Sequence, residues 1–287
     1  MTDPFAALRQ TLDRFAESGT PARFWLRDDD AVDPAPALDR LLALGADHGV
    51  PLTLAVIPQP TGPALAARLH GLAVEVAPHG WSHTNHAPAG VKSCELGPQR
   101  PAAVVLADLA SGLARLRGLH GDRTVPVLVP PWNRIAPALI PALSGLGFRG
   151  VSVFGPEKGD LSPNLTPPDR TPPDRTPPDR TSPDRTPPDR PPPHPIPLTH
   201  VNVHVDLIDW RATRGGRDAA ALIADLLARL AVAAQTGAPV GFMTHHLVHD
   251  AAAWQFVDRL FAVTAHHPGS RWHRLSDLLP ARQIAVT

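Results

Sequence analysis

Apolar runs suited to strands alternate with helical patterns through almost the whole chain, and that alternation limits the fold more than any other feature. Strand-like runs occur at Arg23–Arg27, Leu52–Ile57, Ala73–Ala77, Val125–Val129, Gly150–Phe154, His200–Asp206 and Val240–Met243. Helical patterns stand between them at Pro36–Asp47, Pro63–Leu69, Pro101–Leu119, Pro137–Leu146 and Asp218–Ala234, with Phe5–Ala16 before the first strand and Ala251–Thr264 after the last. A short strand near Trp272 and a helical turn at Leu275–Leu279 close the chain. Serial β-α units predict a parallel sheet or a barrel. The polar clusters fall where such folds build their sites, just beyond the C-terminal ends of strands. These clusters are Asp28–Asp30, His79 with His83, Trp132, and His245.

A length of 287 residues with 43% hydrophobic composition suffices for a sizeable α/β core, read as one domain over residues 1–287. Basic and acidic residues balance at 27 each, so nothing points to a nucleic-acid surface. A neutral sugar-like or small amide substrate suits that balance. Cys94 is the only cysteine, which excludes an intrachain disulfide and a cysteine-based zinc site. Tyrosine is absent, which excludes phenolic catalysis. The start, Met1-Thr2-Asp3-Pro4-Phe5, lacks the apolar core of a leader, and no apolar run is read as membrane-spanning. A cytoplasmic location is the expectation.

One segment breaks the alternation. Residues 163–197 hold five tandem pentads, Thr166–Arg190, of the form Thr-Pro-Pro-Asp-Arg with one Ser variant, followed by Pro191-Pro192-Pro193-His194-Pro195. Proline this dense removes backbone donors and blocks helix and ladder formation. With almost no apolar side chains to bury, the segment is expected to be a disordered or polyproline-II insert between two strands. Its charges cancel within each pentad, so they imply no electrostatic partner.

His79 and His83 lie four residues apart, a spacing that one helical turn or a tight loop can bring to one face. Two imidazoles and one carboxylate from Asp28–Asp30 would give a divalent cation three ligands and leave a position open for water and substrate. A second carboxylate could then serve as a base.

Taken in order, the clusters resemble the five motifs of the polysaccharide deacetylase family, the NodB-homology or carbohydrate esterase family 4 enzymes. The resemblance spans roughly Phe24 to Leu279, apart from the insert. Arg27-Asp28-Asp29-Asp30-Ala31 resembles the first motif, with Asp29 as base and Asp30 as metal ligand; the register Asp28 and Asp29 stays open at this level. His79-Gly80-Trp81-Ser82-His83 matches the second motif in full. Val129-Pro130-Pro131-Trp132 resembles the third, except that Val129 stands where the family has an arginine that orients the catalytic aspartate. Arg27 or Arg134 could supply that cation. Asp206-Leu207-Ile208-Asp209-Trp210 matches the fourth motif, and Phe242-Met243-Thr244-His245, with His246 adjacent, the fifth.

The resemblance implies a distorted (β/α)7-type barrel and a metal-dependent hydrolase that removes an N-acetyl or other N-acyl group. An amino sugar or glycan precursor is the expected substrate, in a divergent intracellular branch. A non-sugar amide on the same fold, or an inactive carbohydrate-binding homologue, are the alternatives. It implies one divalent ion, with zinc expected, on Asp30, His79 and His83. Asp29 is the implied general base, and His245 the acid that protonates the departing amine. The Trp132 backbone N–H is assigned to the oxyanion, and Asp206 or Asp209 to holding His245. Trp81, Trp132 and Trp210 are candidate stacking surfaces. His86, His204 and His249 are read as bystanders, and His266 and His267 as helix caps.

Overall fold

The structure, a computed structural model, describes residues 3–156 and 198–281. The proline-rich pentads therefore lie outside the described residues. The strands are β1 (Ala22–Ala31), β2 (Leu52–Val56), β3 (Val74–Pro78), β4 (Val127–Leu128), β5 (Gly150–Val151), β6 (Thr199–His200), β7 (Val205–Asp206), β8 (Val240–Thr244) and β9 (Ser270–Trp272). The helices are α1 (Pro4–Glu17), α2 (Pro36–His48), α3 (Pro63–Arg68), α4 (Ala102–His120), α5 (Ile140–Leu143), α6 (Ala219–Thr236) and α7 (Ala251–Thr264).

Among the described residues, every pairing between these strands is parallel. One sheet runs β3-β2-β1-β8-β7 and a second runs β4-β5-β6. Single parallel bridges at Val76–Thr124 and His79–Val129 join β3 to the β4 side. A bridge at Phe154–Val203 carries the second sheet along the chain that becomes β7. The ring thus closes as a distorted barrel of seven staves, with β6 and β7 forming one stave and β9 added beside the start of β1.

The run His200–Asp206 reads as one strand in the sequence, yet it splits. Val201 and Val203 donate to β5-side carbonyls, whereas His204 donates to Gly241 of β8. Between them the Asn202 side chain bonds Val153 N and Gly155 O. The stave changes neighbours there, and the ladder is interrupted. Pro137–Leu146, read as one helix, is a short α-helix between two 3-10 turns. Pro141 removes a donor in that segment, and a continuous helix would need it.

Alternation along β1 sorts its side chains into two layers. Phe24 and Leu26 pack outward among the helices. Trp25 points into the barrel, where it meets Ala55, Ala77, Val127, Val129, Val201, Val203 and Met243. That apolar plug fills the barrel below the site.

The reading that no apolar run reaches membrane-spanning length needs correction. α6 is long and apolar enough by length and composition alone. Much of its apolar character is alanine, and its Leu222, Ile223, Leu226 and Leu230 are buried in the outer core as a crossover helix before β8. One such helix is weak evidence of a span.

Candidate active site

The first cluster forms because β1 does not stop at the aspartates. The sequence suggests a strand ending at Arg27, but the strand runs on to Ala31. Its register against β2 shifts between Asp28 and Ala31, and Asp30 has a positive φ of 70°. An irregularity of this kind re-aims side chains at the rim of a barrel. Here it sends the three aspartates in three directions.

Asp30 turns toward the histidines. Its Oδ1 lies 3.2 Å from His79 Nε2 and 3.3 Å from His83 Nε2. One donor atom from each of the three residues falls within 4.8 Å of the others. His79 Nδ1 faces the Val129 carbonyl at 3.0 Å. That contact places the proton on Nδ1 and leaves the Nε2 lone pair directed at Asp30. Asp30 Oδ1 is buried and accepts no hydrogen bond. An orphaned carboxylate oxygen between two imidazole nitrogens is a fit for a divalent cation.

The electrostatics agree. Burial alone would raise the Asp30 carboxyl, but the His79 contact and the charges of His79, His245 and His83 hold it well below the usual carboxylate range. Burial pulls His79 down, yet the Asp30 contact and the Asp29 and Asp30 charges win and raise it. His83 is lowered, by burial first and then by His79. The opposite shifts of Asp30 and His79 share one cause, their mutual contact, and a divalent ion there would compete with a proton for the same atoms.

Of the two ways to bring His79 and His83 together, the chain takes the tight loop. Gly80 has φ 59° and His83 φ 56°. Glu95, fully buried, holds the loop by accepting from Trp81 N at 3.2 Å, Ser82 N at 2.7 Å and Ser82 Oγ at 2.9 Å. A Cβ at Gly80 would stand 2.1 Å from Glu95 Oε2 and 2.6 Å from Pro131 Cγ, so only glycine fits. Sequence reasoning missed Glu95, because no local pattern links it to residues thirteen or fourteen positions earlier.

Asp29 points into the barrel and is gripped by Arg27. Arg27 Nε donates to Oδ1 at 2.7 Å and Nη2 to Oδ2 at 3.0 Å. His245 Nε2 lies 4.0 Å from Asp29 Oδ2. Asp28 faces the other way. It accepts from Thr244 Oγ1 at 2.6 Å and His246 N at 2.9 Å, and it pairs with the His246 ring. Burial lowers the His246 pKa, but Asp28 outweighs it and the net shift is upward. His245 and His246 therefore serve opposite faces of β8.

Trp210 packs edge-on against His245, with ring centroids 4.7 Å apart. Asp206 holds that indole, accepting from Trp210 Nε1 at 2.9 Å. Burial raises the Asp206 carboxyl, and the Ile208 backbone contact and His245 charge offset part of it. Asp209 is used otherwise: its Oδ1 accepts from Arg211 N and Ala212 N, both at 3.0 Å. Of the two aspartates considered for orienting His245, the structure brings Asp206 to the cluster and gives Asp209 to its own turn. Trp132 sits at φ 53° with its ring 4.2 Å from that of His83. Positive φ at Asp30, His83 and Trp132 places backbone strain on three residues of one cluster.

The bystander histidines lie outside the three-ligand group. His204 Nδ1 accepts from Gly241 N, and His249 stacks edge-on against Trp254. Arg134 donates to the Ser93 carbonyl at 2.7 Å.

No family model matches the sequence, and no curated protein matches it. Solved structures do. A Mycobacterium smegmatis structure described as a polysaccharide deacetylase shares 14% identity at a TM-score of 0.58, with 90% of this chain and 92% of that one covered. A family 4 carbohydrate esterase from Streptomyces lividans in complex with acetate gives 14%, 0.53, 88% and 93%. Peptidoglycan deacetylase PdaC from Bacillus subtilis gives 15%, 0.51, 90% and 90%. The fold is that of the family 4 carbohydrate esterases. In this family 4 fold the likeness runs along nearly the whole length of both chains.

Proposed function

We propose that this chain is a metal-dependent hydrolase that removes the acetyl group from an N-acetylated amine, with an amino sugar as the substrate class. The observation that carries the reading is the convergence of Asp30, His79 and His83 donor atoms within 4.8 Å, with Asp29 and His245 4.0 Å apart beside them. The neighbours in fold act on acetylated glycans by their descriptions, including a peptidoglycan N-acetylglucosamine deacetylase solved with a hydroxamate, and this supports the substrate class.

Asp30, His79 and His83 would hold the ion. A divalent cation there, zinc being the expected one, would supply Lewis acidity, making water a stronger acid and polarising the acyl group. Asp29 accepts the water proton as oxygen attacks the acyl carbon. The Trp132 backbone N–H, at the rim beside His83, is assigned to the developing oxyanion. His245 gives its proton to the amine nitrogen as the C–N bond breaks, so acetate and a free amine leave. Asp206 acts through Trp210, whose edge fixes the His245 ring.

The test is acetate release from N-acetylchitooligosaccharides by zinc-loaded protein, with metal content measured in parallel. One bound ion per chain and turnover is the expected result. Failure to retain any divalent ion after remetallation would overturn the metal reading. Bound metal with turnover only on small acetamides would move the substrate class from sugar to simple amide.

A further inference from the structure

We infer that Arg27 is a positioning residue for Asp29, fixing the plane of its carboxylate from two residues earlier on β1. The inference rests on the hydrolase reading above. Val129 is apolar and buried; its N–H donates to Pro78 O, its carbonyl accepts from Gly80 N and faces His79 Nδ1, and its side chain brings Asp29 no charge. Arg27 is two residues before Asp29 on one strand, so both side chains enter the barrel from the same face. Its guanidinium is fully buried.

The geometry is that of a fork committed in every direction. Nε and Nη2 grip the two Asp29 oxygens. Nη1 donates to Ser152 O at 2.9 Å and Ser152 Oγ at 2.6 Å. Nη2 also reaches Asn133 Oδ1 at 3.1 Å, next to Trp132, and Met243 Sδ at 3.2 Å. A guanidinium carries five N–H donors in one plane, and here they meet five oxygens. The plane of the Asp29 carboxylate is thereby fixed relative to β5, the Trp132 turn and β8. Each oxygen keeps a further lone-pair direction for a water proton. An ammonium could supply the charge but not the plane.

The test compares zinc-loaded full-length wild type with Arg27→Lys, Asp29→Asn and the double variant. The probes are methylumbelliferyl acetate and penta-N-acetylchitopentaose, with kcat, KM and zinc content read for each. Arg27→Lys should keep zinc and a near wild-type KM and lose about 10²-fold in kcat, the scale of a misplaced reacting group. In the Asp29→Asn background the same change should cost nothing more, because Arg27 acts through Asp29. An undiminished kcat in Arg27→Lys, or losses that multiply in the double variant, would overturn the inference. Should Arg27→Lys not fold, Asn133→Ala loosens the fork from outside β1 and is read against Asp29→Asn by the same criterion. Wild type that binds zinc and turns over neither probe overturns the hydrolase reading, and this inference with it.

Discussion

The three consecutive aspartates share a charge and a strand but not an environment. Asp28 is neutralised by His246 behind β8, Asp29 by Arg27 inside the barrel, and Asp30 faces two imidazole nitrogens at the rim. Their substitutions should therefore separate. Asp30→Asn should lose bound metal. Asp29→Asn should keep metal and lose about 10²–10⁴-fold in kcat, the scale of a general base. Metal analysis beside steady-state kinetics reads both, and the reverse pattern would shift the roles by one residue. His120 makes a second case far from the site. It is buried at the end of α4 with no partner on either ring nitrogen. Burial, then Arg123, lowers its pKa from an ordinary 6.5 to about 4. The unfolded chain then binds the extra proton between those values, so this histidine's contribution is complete above about pH 6.5 and is lost as pH falls toward 4. His120→Leu should flatten that part of a melting-temperature profile against pH; an unchanged acid slope would show that the histidine titrates normally.

At the scale of elements, the tight loop from His79 to His83 is the part most exposed to damage. His79 N and Gly80 N still reach Val56 O and Val129 O, but beyond them Glu95 takes the Trp81 and Ser82 amides and the Ser82 hydroxyl. Glu95→Ala would leave part-buried donors unmet, each at a cost of at most about 1–3 kcal/mol. It should also weaken metal affinity by about 10–100-fold, as loss of a group that supports ligands does. Calorimetric titration with zinc, set beside thermal melts, checks both. A variant with lower stability and unchanged zinc affinity would make Glu95 a folding residue only. Just past the end of β8 one step separates His245, facing Asp29, from His246, facing Asp28.

For the molecule as a whole, the described ends of the insert carry a topological consequence. β5 and β6 are parallel neighbours, so the chain leaves after β5 at one end of the barrel and re-enters at the other. A parallel crossover needs about a dozen residues or more. The insert position is thus a required crossing, and a turn of a few residues could not replace it. Deleting the five pentads, Thr166–Arg190, leaves residues 157–165 and 191–197, which is enough. Because loop closure varies slowly with length, that deletion should change stability by about 1 kcal/mol or less, with zinc content and kcat retained. A folded deletion variant with lost turnover would show that the repeat contributes to the site.

What the sequence determined by itself was local. Strand and helix positions followed from periodicity, since a run such as Leu52–Ile57 or a pattern such as Ala251–Thr264 carries its own burial signal. The grouping of His79 and His83 followed from four-residue spacing, and the placing of polar clusters at strand ends followed from the β-α order. Contacts between distant residues were decided only in three dimensions. The bulge that turns Asp30 away from Asp29 depends on pairing with β2. The split of Thr199–Asp206 depends on a change of neighbour. Arg27, read in the sequence only as one of two possible cations, was singled out by Ser152 and Asn133, more than a hundred residues away. A side chain's face is set by its own strand, but the group it meets there is set by whichever strand closes beside it, and no window along the chain contains both.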